Sequence, residues 1–289
     1  MNCLRELEIV IIGGDRREIE LYRIWNRRGL KVKLLGFELF PRISPTERAG
    51  PEDLNRASVL ILPLPGLKED GTVPACFTKE PLKIEMFINR ICPQVLILAG
   101  AVPASLLPVF AGHGKLVLTA GDQELVVLNS IPTAEGAIQK AMEISEITIH
   151  GSRALVLGLG RCGAALARAL QGLGAEVTAL VRRWESRAVA ISFGYKVVFI
   201  DRLEDAVAKA DFIFNTVPAP LLTAPLLKKA NKEAIILDLA SSPGGTDFGA
   251  AAELELTAVL LPGLPGRVAP KSSGKFLAEV YQRIITCNL

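Results

Sequence analysis

Histidine is almost absent from this 289-residue chain, which has only His113 and His150. The metal-hydrolase pattern H-x-x-x-H does not occur, and neither does G-x-S-x-G or G-x-x-x-x-G-K-[ST]. Metal hydrolysis, esterase and P-loop chemistry are therefore excluded as readings. Neither histidine follows a late strand of the second half, where a hydroxyacid dehydrogenase needs a group to move the alcohol proton. Cysteine is also sparse. The five residues at 3, 76, 92, 162 and 287 are odd in number and contain no C-x-x-C, so reduced thiols and a cytoplasmic location are expected.

Charge of neither sign dominates, with 33 basic against 30 acidic residues and a net +3. That balance gives no electrostatic case for a nucleic-acid or membrane-surface partner. The first thirty residues show no basic–apolar–cleavage pattern, so no signal peptide is expected. One uncharged window, 91–114, has the hydropathy of a membrane span, yet Pro93, Gly100, Pro103, Pro108, Gly112 and Gly114 interrupt it. It reads as a buried strand at 94–102 followed by a short helix at 103–110.

What the chain does contain is a recurrence of short Val/Ile/Leu runs between helical patterns, the signature of parallel sheet with covering helices. The runs fall at 7–12, 31–37, 58–63, 94–102 and 115–120, then at 153–157, 175–181, 196–200, 211–215, 234–239 and 255–261. The expected class is α/β with two doubly wound parallel-sheet domains, a flavodoxin/Rossmann-like one first and a Rossmann NAD(P)-binding one second. Asp15 caps the first helix and Gly29 ends it. Residues 133–149 form a long helix expected to join the domains, and 271–287 a terminal helix. The predicted boundaries are 1–130, an interdomain helix 131–150, 151–268, and a C-terminal helix 269–289 packing back on the interdomain region.

The most informative segment is Gly158-Leu159-Gly160-Arg161-Cys162-Gly163, preceded by an apolar strand and followed by an alanine-rich helix. This is the dinucleotide turn: one glycine to bend, one to admit a pyrophosphate, one to pack helix on strand. The next strand ends without the acid that holds a ribose 2′-hydroxyl. Arg182 and Arg183 stand there instead, and cations at a helix start call for an anion. The 2′-phosphate of NADP would supply it, with a solvated charged helix face as the alternative. Strand exits at Asn215, Thr216, Val217 and Pro218, and at Asp238, Ala240 and Ser241, are expected beside the nicotinamide. In the first half, Gly13 and Gly14 precede a helix beginning with Arg16 and Arg17, and a carboxylate site at those amides competes with an ordinary strand-to-helix turn.

Four segments together resemble the dipicolinate synthase A-subunit family: Gly13-Gly-Asp-Arg16, Asn129-Ser-Ile-Pro-Thr-Ala-Glu-Gly-Ala-Ile138, Asp238-Leu-Ala-Ser-Ser-Pro-Gly-Gly-Thr-Asp247 and Leu261-Pro-Gly-Leu-Pro-Gly-Arg-Val-Ala-Pro-Lys271. The resemblance spans the whole chain. It implies an NADP-dependent oxidoreductase acting on a dihydrodipicolinate-type ring during sporulation, with the flavoprotein-like B-subunit of dipicolinate synthase as partner and room for a homodimer. Aromatisation drives such an oxidation, so a strong general base is less necessary than for an alcohol. A small dicarboxylate must still find compensating charge, and Arg16, Ser130, Thr133 and Lys271 are the candidates, meeting it from both domains. No catalytic residue is assigned. Two other readings stay open: an NADP-holding regulatory or scaffold protein, and a shikimate- or hydroxyacid-dehydrogenase-like oxidoreductase.

Overall fold

The computed structural model describes residues 3–289, apart from the Cys3 side chain. The chain folds as two compact units. One runs up to Leu128 and regains Ala269–Leu289; the other is Asn129–Val268.

In the first unit the strands are β1 (Glu8–Ile12), β2 (Lys31–Leu35), β3 (Val59–Ile61), the short pair β4 (Thr72–Val73) and β5 (Leu82–Lys83), β6 (Leu96–Ala99) and β7 (Lys115–Leu118). Its helices are α1 (Arg16–Arg27) and α2 (Pro51–Arg56), and α3 (Gln123–Ile144) starts in this unit and continues into the second. The main sheet is parallel in the order β2-β1-β3-β6-β7, the flavodoxin-like order. Successive side chains of β1 alternate between two cores. Ile9 and Ile11 join the layer beneath α1, while Val10 and Ile12 join the opposite one. Such two-sided burial explains runs of apolar residues without polar alternation.

The second unit contains β8 (Arg153–Leu157), α4 (Arg161–Gly172), β9 (Glu176–Leu180), α5 (Trp184–Ser192), β10 (Lys196–Val198), α6 (Leu203–Val207) and β11 (Phe212–Asn215). After these come α7 (Ala224–Leu227), β12 (Ile235–Asp238), α8 (Phe248–Glu253), β13 (Thr257–Leu260) and α9 (Leu264–Val268). The sheet order β10-β9-β8-β11-β12-β13 is parallel throughout, which is the dinucleotide-binding order reversing between β8 and β11. Ala154 and Val156 pack to one face, Leu155 and Leu157 to the other.

Two expectations change. The second unit begins at 129 rather than 151, because Ala134, Ala137, Ile138 and Ala141 of α3 belong to its core. Gly136 admits α9 there, since a Cβ would lie 3.0 Å from Val268 Cγ2 and 3.2 Å from Leu264 Cβ. The terminal helix α10 (Pro270–Asn288) packs on α1: a Cβ at Gly274 would meet Glu20 Cβ at 2.5 Å and the Arg17 carbonyl at 2.9 Å. Toward the start of α3 it shares a buried cluster with Leu125, and Arg283 pairs with Asp122 and Glu124. The short strands β4 and β5, an antiparallel pair, carried no sequence signal. Among the described residues no helix is long and apolar enough to cross a membrane, and the window 91–114 resolves into β6 and a 3-10 segment, Ala104–Phe110.

Candidate functional site

The turn between β8 and α4 is built from three glycines with three different constraints. Gly158 has φ +88°, and a Cβ there would lie 2.9 Å from Val217 Cγ2 and 3.0 Å from Thr216 Oγ1. A Cβ at Gly163 would lie 1.9 Å from the Gly158 carbonyl oxygen, so α4 sits directly on the strand exit. Gly160, the N-cap, meets nothing within 4 Å. Close packing on both sides of an open middle position is what a pyrophosphate needs to approach helix amides. Thr216 completes the turn by donating its hydroxyl to the Leu157 carbonyl (2.9 Å). Leu159 packs against the unit's core, and Arg161 begins α4. Cys162 is half-buried, and burial pushes its thiol up against the pull of Arg161.

Arg182 and Arg183 emerge exposed just beyond β9, and Arg183 is the N-cap of α5 without a side-chain cap. Neither pairs with a carboxylate among the described residues. Arg187 behaves differently, lying 5.7 Å over the Trp184 ring. Two unpaired guanidinium groups thus stand where a helix already carries partial positive charge, an arrangement that favours an anion.

On the other half of the sheet, Asn215 and Asp238 end adjacent strands in register. Both are fully buried, and Asn215 Nδ2 donates to Asp238 Oδ2 (3.0 Å) and to the Val217 carbonyl (3.1 Å). The Val217 amide donates back to Asn215 Oδ1 (3.0 Å). Asp238 further accepts from the Ala240 amide (3.0 Å), the Gly245 amide (2.9 Å) and the Thr246 hydroxyl (2.7 Å). At these strand exits the two side chains serve the loops themselves. They are turned inward and shape the loops 216–222 and 239–247, leaving Pro218 and Ser241 exposed at the rims and Ala240 buried. Gly245 has to be glycine, since a Cβ would lie 2.4 Å from the Ala219 carbonyl and 2.6 Å from that of Val217. Sequence reasoning missed Thr246 and Gly245. The available signal was an aspartate at a strand end with G-G-T six to eight residues later.

Of the two readings of Gly13 and Gly14, the ordinary strand-to-helix turn is the one observed. The amide of Gly13 bonds to the Leu35 carbonyl (2.8 Å) and that of Gly14 to the Pro74 carbonyl (2.7 Å). A Cβ at Gly13 would touch Pro74 and Val73, so the segment beside β4 covers the turn. The Asp15 amide bonds to Glu18 Oε2, and Asp15 in turn receives the Arg17 amide and guanidinium. Arg17 and Glu18 are buried here; burial pushes the Glu18 carboxyl up, against the opposing pull of Arg17. Arg16 alone points out, exposed at the first residue of α1.

The remaining substrate candidates differ in what they offer. Ser130 is buried, and the Thr133 hydroxyl donates to the Asn129 carbonyl of its own helix (2.7 Å). Lys271 lines a cavity beside α1 with Arg42 and Lys275. His113 precedes β7 and His150 precedes β8, so both lie at the amino ends of parallel strands, away from the edge where ligands bind. No group of three His, Cys, Asp or Glu among the described residues could hold a metal.

Comparison with known proteins follows the same division. Residues 8–118 match the N-terminal domain of the dipicolinate synthase A-subunit, and residues 129–242 match the NAD-binding domain of D-isomer specific 2-hydroxyacid dehydrogenases. The A-subunit of dipicolinate synthase from Bacillus subtilis (strain 168) is 33% identical over 98% of this chain and 97% of its own length. The crystal structure of the dipicolinate synthase A-subunit from Bacillus halodurans superimposes with a TM-score of 0.85 at 34% identity, covering 96% of each chain. The corresponding crystal structure from Bacillus subtilis gives 0.84 at 33%, covering 96% of this chain and 95% of that one.

Proposed function

Because this chain belongs to the dipicolinate synthase A-subunit family, we propose that it is the NADP-dependent oxidoreductase component of that synthase, oxidising a dihydrodipicolinate-type ring to dipicolinate. Its nicotinamide-dinucleotide domain is of the 2-hydroxyacid dehydrogenase type. The observation that carries the choice of NADP is the pair of unpaired guanidinium groups at Arg182 and Arg183, at a strand end without the usual acid. Bound NADP supplies a hydride acceptor. Gly158, Gly160 and Gly163 shape the turn that receives its pyrophosphate, and Arg182 and Arg183 meet its 2′-phosphate. The loops held by Asn215 and Asp238 present Val217, Pro218 and Ser241 as the rims against which the planar ring is held.

The oxidation removes two hydrogens from the ring, one as hydride and one as a proton. Aromatisation drives it, so orientation does most of the work. Arg16 is the residue assigned to a substrate carboxylate, and Arg16→Ala should raise the apparent KM without altering NADP affinity. The working partner is the flavoprotein-like B-subunit, and the setting is the cytoplasm of a sporulating cell.

Replacing Arg182 and Arg183 together by alanine tests the cofactor. Each charge-assisted hydrogen bond contributes about 1.5–3 kcal/mol, so NADP affinity should fall at least tenfold while NAD affinity holds. Equal loss for both would remove the 2′-phosphate assignment. One observation favours a second reading. Asn215 and Asp238, the polar groups at the strand exits, are engaged within the fold, as they would be in a protein that holds the cofactor for a catalytic partner. Turnover by the purified chain with and without the B-subunit separates the two readings. Dipicolinate formed by the B-subunit alone with added NADP would overturn the catalytic assignment.

A further inference from the structure

A cavity of about 660 Å³ in the first unit lies between α1, the turn at 41–43 and the first turns of α10. Six cations line it: Arg23 and Arg27 from α1, Arg28 from its C-cap, Arg42 from the turn, and Lys271 and Lys275 from α10. Only two acids accompany them, Glu20 and Glu47. The lining is therefore +4, more than the +3 of the whole chain. Both acids are already engaged. Glu20 bonds Arg23 at 2.6 Å, and Glu47 accepts the Tyr22 hydroxyl and the Ser44 amide. Arg27 Nε and Arg28 Nη1 reach only neutral oxygens, of the Arg23 backbone and the Gln282 side chain. Lys275 lies 3.9 Å from Glu279, a loose and exposed pair, while Arg42 and Lys271 have no partner among the described residues.

Arg42 carries the second, independent observation. It follows Pro41 in a turn and has φ +74°, a conformation that glycine or asparagine adopts far more easily. A long charged side chain at such a position stores backbone strain, and such strain concentrates at ligand-holding sites.

We propose that this cavity is a receptor for a small polyanion, a phosphate ester or a polycarboxylate, distinct from the dinucleotide turn. Its volume falls in the range of small-molecule sites. Its cations converge from three segments of the fold, whereas a docked protein would call for a flatter basic face. The proposal does not depend on the NADP reading, because every residue it uses belongs to the first unit.

Calorimetric titration of the full chain at constant ionic strength tests it, with pyrophosphate in one arm and citrate in another, each with and without saturating NADPH. The expected result is saturable binding of at least one anion at one site, unchanged by NADPH. Preference for pyrophosphate identifies phosphate esters as the class, and preference for citrate identifies polycarboxylates. Replacing Lys271 and Lys275 together by glutamine should weaken binding at least tenfold with Tm unchanged. Arg42→Gly should weaken it similarly while raising Tm, since it removes the charge and relieves the strain together. The proposal is overturned if neither anion saturates, if NADPH displaces the anion, or if Arg42→Gly leaves binding intact.

Discussion

Gly163→Ala should cost this protein both stability and cofactor, and the size of the effect follows from one contact. The new methyl carbon would sit 1.9 Å from the Gly158 carbonyl oxygen, about 1.5 Å short of ordinary contact at 3.4 Å. The obstructing atom is backbone at the end of β8, so no side chain can rotate away. Relief requires α4 to move, and overpacking of that kind costs about 1–3 kcal/mol. At roughly 2–4 °C per kcal/mol for a domain of this size, Tm should fall by several degrees. On the proposed reading the same movement would displace the helix amides from the pyrophosphate, and loss of one charge-assisted bond of about 1.5–3 kcal/mol would weaken NADPH binding tenfold or more. Two neighbouring glycines serve as controls. A Cβ at Gly160 or at Gly172 meets nothing within 4 Å. Gly172→Ala should leave binding unchanged and add roughly 0.5–1 kcal/mol through helix propensity. Gly160→Ala should keep stability within about 1 kcal/mol of wild type but lose NADPH, because on the proposed reading the pyrophosphate approaches from its open side. Differential scanning fluorimetry and NADPH fluorescence titration read both quantities. Gly160→Ala binding NADPH as tightly as wild type would refute the reasoning.

Thr246→Val removes a hydroxyl that donates to buried Asp238 at 2.7 Å, so about 1.5–3 kcal/mol should be lost with little change at the glycine turn; chemical denaturation measures it. Gly245→Ala, facing backbone carbonyls at 2.4 and 2.6 Å, should destabilise the second unit, and an unchanged melting profile would contradict the close approach. The Glu18 carboxyl is pushed above the ordinary value of 4.5 by burial. The folded state therefore holds its proton at pH values where the unfolded chain has released it, and stability falls as pH rises from about 4.5 toward neutrality. Glu18→Gln should flatten that part of the stability–pH curve, and an unaltered slope would show that the buried carboxyl is not responsible.

The glycine turn was legible in the sequence because each of its constraints is local: bend, opening and packing all lie within six residues. The two sheets were legible for a similar reason, since β1 and β8 are buried on both faces and show unbroken apolar runs. What escaped depends on partners far along the chain. Asn215 and Asp238 are 23 positions apart, and the hydrogen bond that joins them across neighbouring strands leaves no mark in the local sequence. The Gly13–Gly14 turn looked open because its cover comes from residues 73–76, beside strands only two residues long. Strands of that length leave no periodicity to read.

The way α10 completes the first core bears on how the chain is made. Leu277, Val280, Tyr281 and Ile284 fill the layer under α1, where Trp25 Nε1 donates to the Ala278 carbonyl at 3.2 Å. The second unit is thus an insertion within the first, and a ribosome delivers all of its 140 residues, Asn129–Val268, before the first core can close. During synthesis the second unit is free to fold early while α1 waits with Trp25 uncovered. Clipping the last twenty residues should accordingly injure the domain that is made first and spare the one made second.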